Sequence, residues 1–340
     1  MKRTFFCLVI LSLAVLPANA RRFASGPLEL AVYPAKIPES AEQYQLLPKA
    51  DKQTDVDAVP LYEKALQALP RGRKQDKQIR EWLKLPPEQL PTKQVVETIQ
   101  KHIESLELVS QATRCKQCNW PKWKPGTMPP DQTEYRSLAF LLALWARLEI
   151  VRGEYDRALL VMQTGFGMAR HLGQAPTCIQ AMVGTAIGGL MCKEVELFIM
   201  GNDSPNLYGT LADLPRPFAD VTKAIEAERA NLKDYNFLVR RQLEKQLKPA
   251  HDRMLFIAKR LENNLNAMQC VEAIRYYAAT HDVRLPEKLS DISDLELPMD
   301  VMNDKAFGYR LNATGALLQS EMPEGGGGVD IVRYQVVLKN

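Results

Sequence analysis

Histidine is scarce in this chain. His102, His171, His251 and His281 are the only four among 340 residues, and none is spaced to share a metal with another. HExxH, GxSxG and GxGxxG are all missing, and no Gly-Lys-Ser/Thr follows the glycine run 325–328, so the common zinc-protease, hydrolase and nucleotide-loop signatures are excluded. An excess of charge is missing too. Taking Lys2 and Arg3 from the 44 basic residues leaves 42 against 40 acidic ones, a net charge of about +2 for the chain from residue 21 onward. Nucleic-acid binding normally needs a clear basic surplus, so that partner class is not expected. Long apolar runs are missing after the first twenty residues. Leu138 to Ala146 stops at Arg147, and Cys178 to Cys192 falls short of the ~20 residues a bilayer span needs.

The amino terminus has the layout of an export signal. Met1-Lys2-Arg3 is a positive start, Phe5 to Leu16 an apolar stretch, and Ala18-Asn19-Ala20 a small-residue cleavage site. Cleavage is expected after Ala20, leaving Arg21 first and no integral membrane span. The expected location is periplasmic or extracellular. Residues 21–60, rich in proline and polar groups with short apolar pieces such as Leu28 to Val32, read as an extended arm on a helical body.

Residues 61–282 read as helical. A short helix covers Leu61 to Leu69, and Val95, Ile99, Ile103, Leu106 and Val109 repeat with a helical period. Asp131 and Glu134 are placed as a capping box for a helix that is apolar on nearly every side, through Leu138, Leu141, Leu144, Trp145 and Leu148. Gly153 ends it. A second helix carries Tyr155, Ala158, Leu159, Met162 and Phe166. A third, with Pro176 in its first turn, has a face of small residues: Ala181, Gly184, Thr185, Gly188 and Cys192. Glycine costs ~1 kcal/mol against alanine inside a helix, so close approach of another helix is expected there. Leu144, Trp145, Leu148, Tyr155 and Ala158 are the expected core. Further on, Phe218 to Leu247 reads as a long charged helix, interrupted at Pro249, with a second from Met254 to Val271.

Cys115-Lys116-Gln117-Cys118 is the single CxxC, read as closing a helix before the proline-rich stretch 121–130. Four readings are open: a structural disulfide, half of a metal site, a redox pair and free thiols. The disulfide is preferred in an exported protein. A helix carboxyl end disfavours the thiolate that redox chemistry needs. Cys178 and Cys192 lie ~21 Å apart on one continuous helix, too far to pair. With Cys270 they read as small buried hydrophobes.

After Leu285 the pattern changes from helical to alternating. Phe307 to Leu311 and Ala316 to Ser320 flank Asn312-Ala313-Thr314-Gly315 as a hairpin, and Ile331 to Leu338 as a closing strand. Residues 283–340 are expected to form a small antiparallel sheet packed by the preceding helix.

Two resemblances follow. Leu142, Trp145, Ala146, Gly153, Tyr155 and Ala158 resemble a tetratricopeptide helical hairpin, and Leu61, Tyr62, Ala65, Leu66 and Pro70 resemble the second helix of another such unit. Met162 stands where phenylalanine is usual, and the closing proline is missing. An ordinary helical hairpin fits the same residues. The run Ala273-Ile274-Arg275-Tyr276-Tyr277, Arg284-Leu285-Pro286, Leu289, Pro298-x-Asp300, Phe307-x-Tyr309 and the glycines before Asp330 is similar to the globular part of type II secretion pseudopilins. That resemblance implies a helix on a small sheet and a late loop able to hold calcium. The prepilin start is missing, so filament assembly is not implied.

The resulting expectation is a mainly α protein, a helical hairpin or repeat-like bundle with a small carboxyl-terminal antiparallel β region. Its expected role is that of an exported, non-catalytic helical scaffold or binding protein with a protein or peptide partner. The alternatives are a thiol–disulfide or metal-binding protein using Cys115 and Cys118, and a secretion or cell-surface accessory component acting through the pilin-like tail. No cofactor is expected, calcium and zinc being the two metals the sequence leaves room for.

Overall fold

In the computed structural model, residues 26–39, 44–70, 73–121 and 132–339 are described. The export signal, Asp131 and Trp123 lie outside them. Three helices form the centre: Thr133–Val151, Tyr155–Gly173 and Cys178–Ile199. Four helices precede them among the described residues. In chain order these are α1 (Val59–Ala68), α2 (Arg73–Trp82), α3 (Thr92–Lys101) and α4 (Ile103–Thr113), which makes the central helices α5, α6 and α7. Three follow: α8 (Tyr208–Ala212), α9 (Thr222–Asn231) and α10 (Phe237–Thr280).

Helix α5 is apolar all round because it is enclosed on several sides. It packs on α6 and α7, with α2 and α3 against it as well. Leu144 and Leu148 are fully buried, as is Ala158 on α6. Trp145 and Tyr155 are half-buried at the rim. The Trp145 indole donates to Glu149 Oε1 (3.0 Å), and the Tyr155 hydroxyl donates to the Asn202 carbonyl (2.6 Å). The α5–α6 turn uses Gly153 at φ +72°, a left-handed position that favours glycine. Thr177 caps α7 by accepting from the Gln180 amide (3.2 Å), which leaves Pro176 just outside the helix.

The small face of α7 makes the close approach expected of it, with different partners at its two glycines. A Cβ at Gly184 would collide with the Gly173 amide and would sit 2.6 Å from the Ala169 carbonyl, both backbone atoms of α6. A Cβ at Gly188 would meet only the end of the Leu261 side chain (2.8 Å) and Phe218 (3.2 Å). Backbone cannot step aside as a leucine methyl can. Gly184→Ala is therefore expected to destabilise by about 1–3 kcal/mol despite alanine's better helix propensity, and Gly188→Ala by clearly less. Urea unfolding of the two variants checks this, and a Gly184→Ala protein as stable as its parent would defeat it.

The charged region differs from the expectation in two places. The helix ends at Asn231, and after a short 3-10 turn, Leu232–Asp234, the Asn236 side chain accepts from the Val239 amide (3.0 Å) and starts a new helix. Pro249 does not break that helix. α10 runs unbroken for 44 residues through it. Proline removes one helical hydrogen bond and leaves the carbonyl four residues earlier without its donor. Here Pro249 and Lys245 are both exposed, so solvent can reach this turn of the helix.

The carboxyl-terminal region is a small antiparallel sheet of β4 (Gly308–Asn312), β5 (Gly315–Gln319) and β6 (Arg333–Leu338), with β4 and β5 joined by a tight turn. The sheet also takes in the amino-terminal arm: β1 (Leu28–Val32) lies parallel to β6, in the order β1-β6-β5-β4. A second, two-stranded parallel sheet pairs β2 (Thr54–Asp57) with β3 (Cys115–Gln117). The CxxC therefore does not close a helix: its first three residues form a strand just beyond one. A single buried cluster connects Leu30 and Val32 of the arm, the three central helices, Val271 and Ile274 of α10, and Leu318, Tyr334 and Val336 of the sheet.

Charged pairs cross this interior. Arg147 on α5 donates from Nε and Nη2 to the two oxygens of Glu194 on α7 (3.1 and 2.8 Å), and from Nη1 to the Leu83 carbonyl (2.6 Å). Arg275 on α10, fully buried, donates to both oxygens of Glu272 (3.0 and 2.9 Å), to the Tyr33 carbonyl of the arm (2.9 Å), and to the Ser204 carbonyl and hydroxyl (2.8 and 3.0 Å). Asn206 donates to the Ala35 and Glu272 carbonyls, which ties the same three segments a second time.

Candidate functional site

Two groups of thiols and imidazoles stand out. The first surrounds the CxxC. Cys115 is buried in β3, its thiol donating to the Gln111 carbonyl at 3.5 Å and lying 3.8 Å from the Thr54 hydroxyl. Cys118 is half-buried beyond the strand. No disulfide joins the described cysteines, and Cys115 and Cys118 are separate thiols. Beside them Tyr62 stacks on Trp120 (centroids 5.6 Å) and meets Tyr135 and His171 edge-on. The Tyr62 hydroxyl is 3.0 Å from His171 Nδ1, and the Trp120 indole donates to the His171 carbonyl (2.8 Å). A cleft of about 480 Å³ opens alongside, lined in part by Cys115, Cys118, Arg170, His171, Gln174 and Asp213.

The electrostatics of this group are unfavourable for thiolate chemistry. Burial, then Asp57 and Cys115, push the Cys118 thiol far above its ordinary range. Burial, then Arg170, pull His171 down to about 4, with only partial opposition from the Cys115 backbone and Asp57. A neutral imidazole supplies no positive charge, and a nucleophilic cysteine requires one nearby. Asp57 is slightly desolvated, but the Asn119 and Val59 amides hold it below the usual carboxylate value. That anion faces the Cys118 thiol and adds to its rise.

The second group was not anticipated. Cys178, the first residue of α7, Glu228 on α9 and His251 on α10 bring their side-chain donor atoms within 4.8 Å of one another. The Cys178 thiol donates to Glu228 Oε2 (3.3 Å), and His251 Nε2 lies 2.6 Å from the same oxygen. The cysteine and histidine are buried, while the glutamate side chain keeps 19% of its surface exposed. Buried Ala181, Val221, Ala224, Ile225 and Met254 form the surrounding wall. Burial, then Glu228, raises the thiol above its ordinary value. A hydrolase-type nucleophile needs the imidazole against the sulfur to take its proton. Here the carboxylate holds that place, so the thiol and the imidazole are not paired as in such a triad.

Sequence reasoning treated Cys178 as a small hydrophobe, His251 as isolated and Glu228 as one charge of a long charged helix. Gaps of 50 and 23 residues between them have no motif, and only the docking of three helices closes them. In the tail loop where the resemblance implies calcium, Asp330 has protein partners. Asp330 Oδ1 faces Arg260 (2.7 Å) and Arg253 (3.8 Å), and Oδ2 accepts from the Gly327 amide (3.0 Å). Its charge is already met by two guanidinium groups. No described helix is long and apolar enough to cross a membrane.

Comparisons with protein-family models, with curated proteins and with solved structures find no match to this chain.

Proposed function

We propose that the protein is an exported, non-catalytic helical binding protein whose partner is another protein, held at the free end of α10. One observation carries this reading. The first ten residues of α10, 237–246, contain no buried side chain, so about 15 Å of helix at 1.5 Å per residue lies at the surface, with only Arg240 and Leu243 half-buried. Its tip is apolar: Phe237 is 64% exposed and Leu238 76%, with Tyr235 and Val239 beside them. Adjacent exposed apolar side chains usually mark a contact surface. Arg240, 5.9 Å from the Phe237 ring centroid, and Arg241 and Lys245 give the tip a positive rim against Glu244. The matching surface is an apolar groove with acidic edges, as in helix-in-groove recognition.

The other readings have less support. For thiol–disulfide exchange, burial and Asp57 hold the Cys118 thiol well above its ordinary range, and at the pilin-like tail Asp330 is already paired with Arg260.

The test places a photo-cross-linking residue at Leu238 in the chain carrying its own leader, expressed in the host that exports it. The expected result is a mature protein beginning at Arg21 and one discrete protein adduct. The adduct should map to an acid-edged apolar surface and fade with added salt and in the Phe237→Ser background. Adducts spread over lipids, or none at all, would reject the reading.

A further inference from the structure

We propose that Cys178, Glu228 and His251 form a binding site for a zinc-type divalent cation, with the fourth position open to solvent on the Glu228 side. The inference goes beyond the binding role and does not depend on it. The site rests first on convergence. A sulfur, an imidazole nitrogen and a carboxylate oxygen arrive from three different helices and point at one another inside an otherwise apolar pocket. Three protein ligands of these types plus one open position form a recurrent zinc arrangement.

The distances suit it. Tetrahedral zinc bonds of ~2.0–2.3 Å put ligand atoms roughly 3.3–3.8 Å apart. The sulfur–oxygen separation is already 3.3 Å, and the nitrogen–oxygen separation of 2.6 Å has to widen by less than 1 Å. Glu228 can make that adjustment, because its carboxylate belongs to a long side chain that reaches solvent, whereas Cys178 and His251 are walled in.

Charge gives the second argument. One oxygen, Glu228 Oε2, is the hydrogen-bond partner of both the thiol and the imidazole, so the three groups share one acceptor and the carboxylate works against forming a thiolate. A divalent cation reverses this. It takes the thiolate, the neutral imidazole and the carboxylate together, and the apolar wall of Val221, Ile225 and Met254 strengthens each bond by excluding water. The donor set also selects the metal class. Calcium and magnesium require mainly oxygen ligands, whereas sulfur with imidazole suits zinc and its cobalt substitute.

The experiment titrates the full mature chain with zinc, and in parallel with cobalt(II), whose thiolate complexes absorb in the near ultraviolet. The expected result is one equivalent bound, a thiolate–cobalt band, and protection of Cys178 from maleimide labelling read by peptide mass spectrometry. Cys178→Ser is expected to abolish the band, and Glu228→Gln and His251→Gln to weaken zinc binding by about 10–100-fold or more. Cys115→Ser with Cys118→Ser should bind as the parent does, and calcium should not compete. If Cys178→Ser fails to fold, as judged by circular dichroism of the apo-protein, the protection of Cys178 in the parent decides. No binding by the parent would mean that the cluster is a hydrogen-bond network only. Binding lost in the Cys115/Cys118 variant but kept in Cys178→Ser would move the metal to the CxxC. Either result overturns the proposal.

Discussion

Arg275→Met is expected to lower the free energy of unfolding by about 3–5 kcal/mol, the range for removing one member of a buried ion pair. Arg275 and Glu272 are both fully buried one turn apart on α10, and the two Nη1 bonds reach both carboxylate oxygens, with the Leu207 amide as a further donor. Without the guanidinium, Glu272 keeps its charge in a dry interior or takes up a proton, and both are costly. The loss extends beyond the pair. The same guanidinium holds the Tyr33 carbonyl of the arm and the Ser204 turn, so three distant segments lose their common donor. Limited proteolysis should then cut residues 26–39 faster than in the parent. Arg275→Met with Glu272→Met removes both charges and should recover part of the stability, because a buried pair replaced by apolar side chains is often close to neutral. Urea titrations of the three proteins give the coupling. A single variant within 1 kcal/mol of the parent would show that the pair does not hold the arm.

The second large effect is a dependence on pH. In the unfolded chain His171 takes up its proton near pH 6.5, whereas in the folded protein burial and Arg170 hold it at about 4. Above pH 6.5 both states are neutral there, and His171 leaves stability independent of pH. As pH falls below 6.5 the unfolded state gains a proton that the folded state refuses. Stability should then drop by ~1.4 kcal/mol per pH unit until the folded imidazole itself titrates near pH 4, about 3 kcal/mol in all. Burial also raises the Glu194 and Glu272 carboxyls, which acts in the opposite sense over part of the same window. The comparison is therefore between the parent and His171→Gln, which share those groups. The glutamine amide can keep a partner for the Tyr62 hydroxyl, and only the slope due to His171 should disappear. Equal slopes for the two proteins between pH 4 and 6.5 would refute the buried neutral imidazole.

Much of the helical architecture is legible in local pattern. The all-round apolar α5, the glycine at its end and the small face of α7 each state a packing requirement within a few residues of sequence. The alternation around Asn312-Ala313-Thr314-Gly315 likewise specifies the β4–β5 hairpin. Helix periodicity and turn chemistry are local properties, and the chain satisfies them where they are written. Pro249 shows the limit of such rules. The cost of proline depends on whether water can reach the freed carbonyl, and exposure is a property of the folded surface.

What the sequence alone determined is therefore the mainly helical class, the three central helices and the antiparallel tail. The tertiary structure decided which distant pieces meet. Leu28–Val32 is apolar enough to be a strand, but nothing within it names β6, some three hundred residues away, as its neighbour. Arg147 looks like an interruption of an apolar helix until Glu194 is found opposite it. Cys178, Glu228 and His251 carry no shared motif, because their relation is fixed by how α7, α9 and α10 dock. A buried polar group is tolerated only where the fold supplies its partner, and across such separations that partner is chosen by packing and not by spacing along the chain.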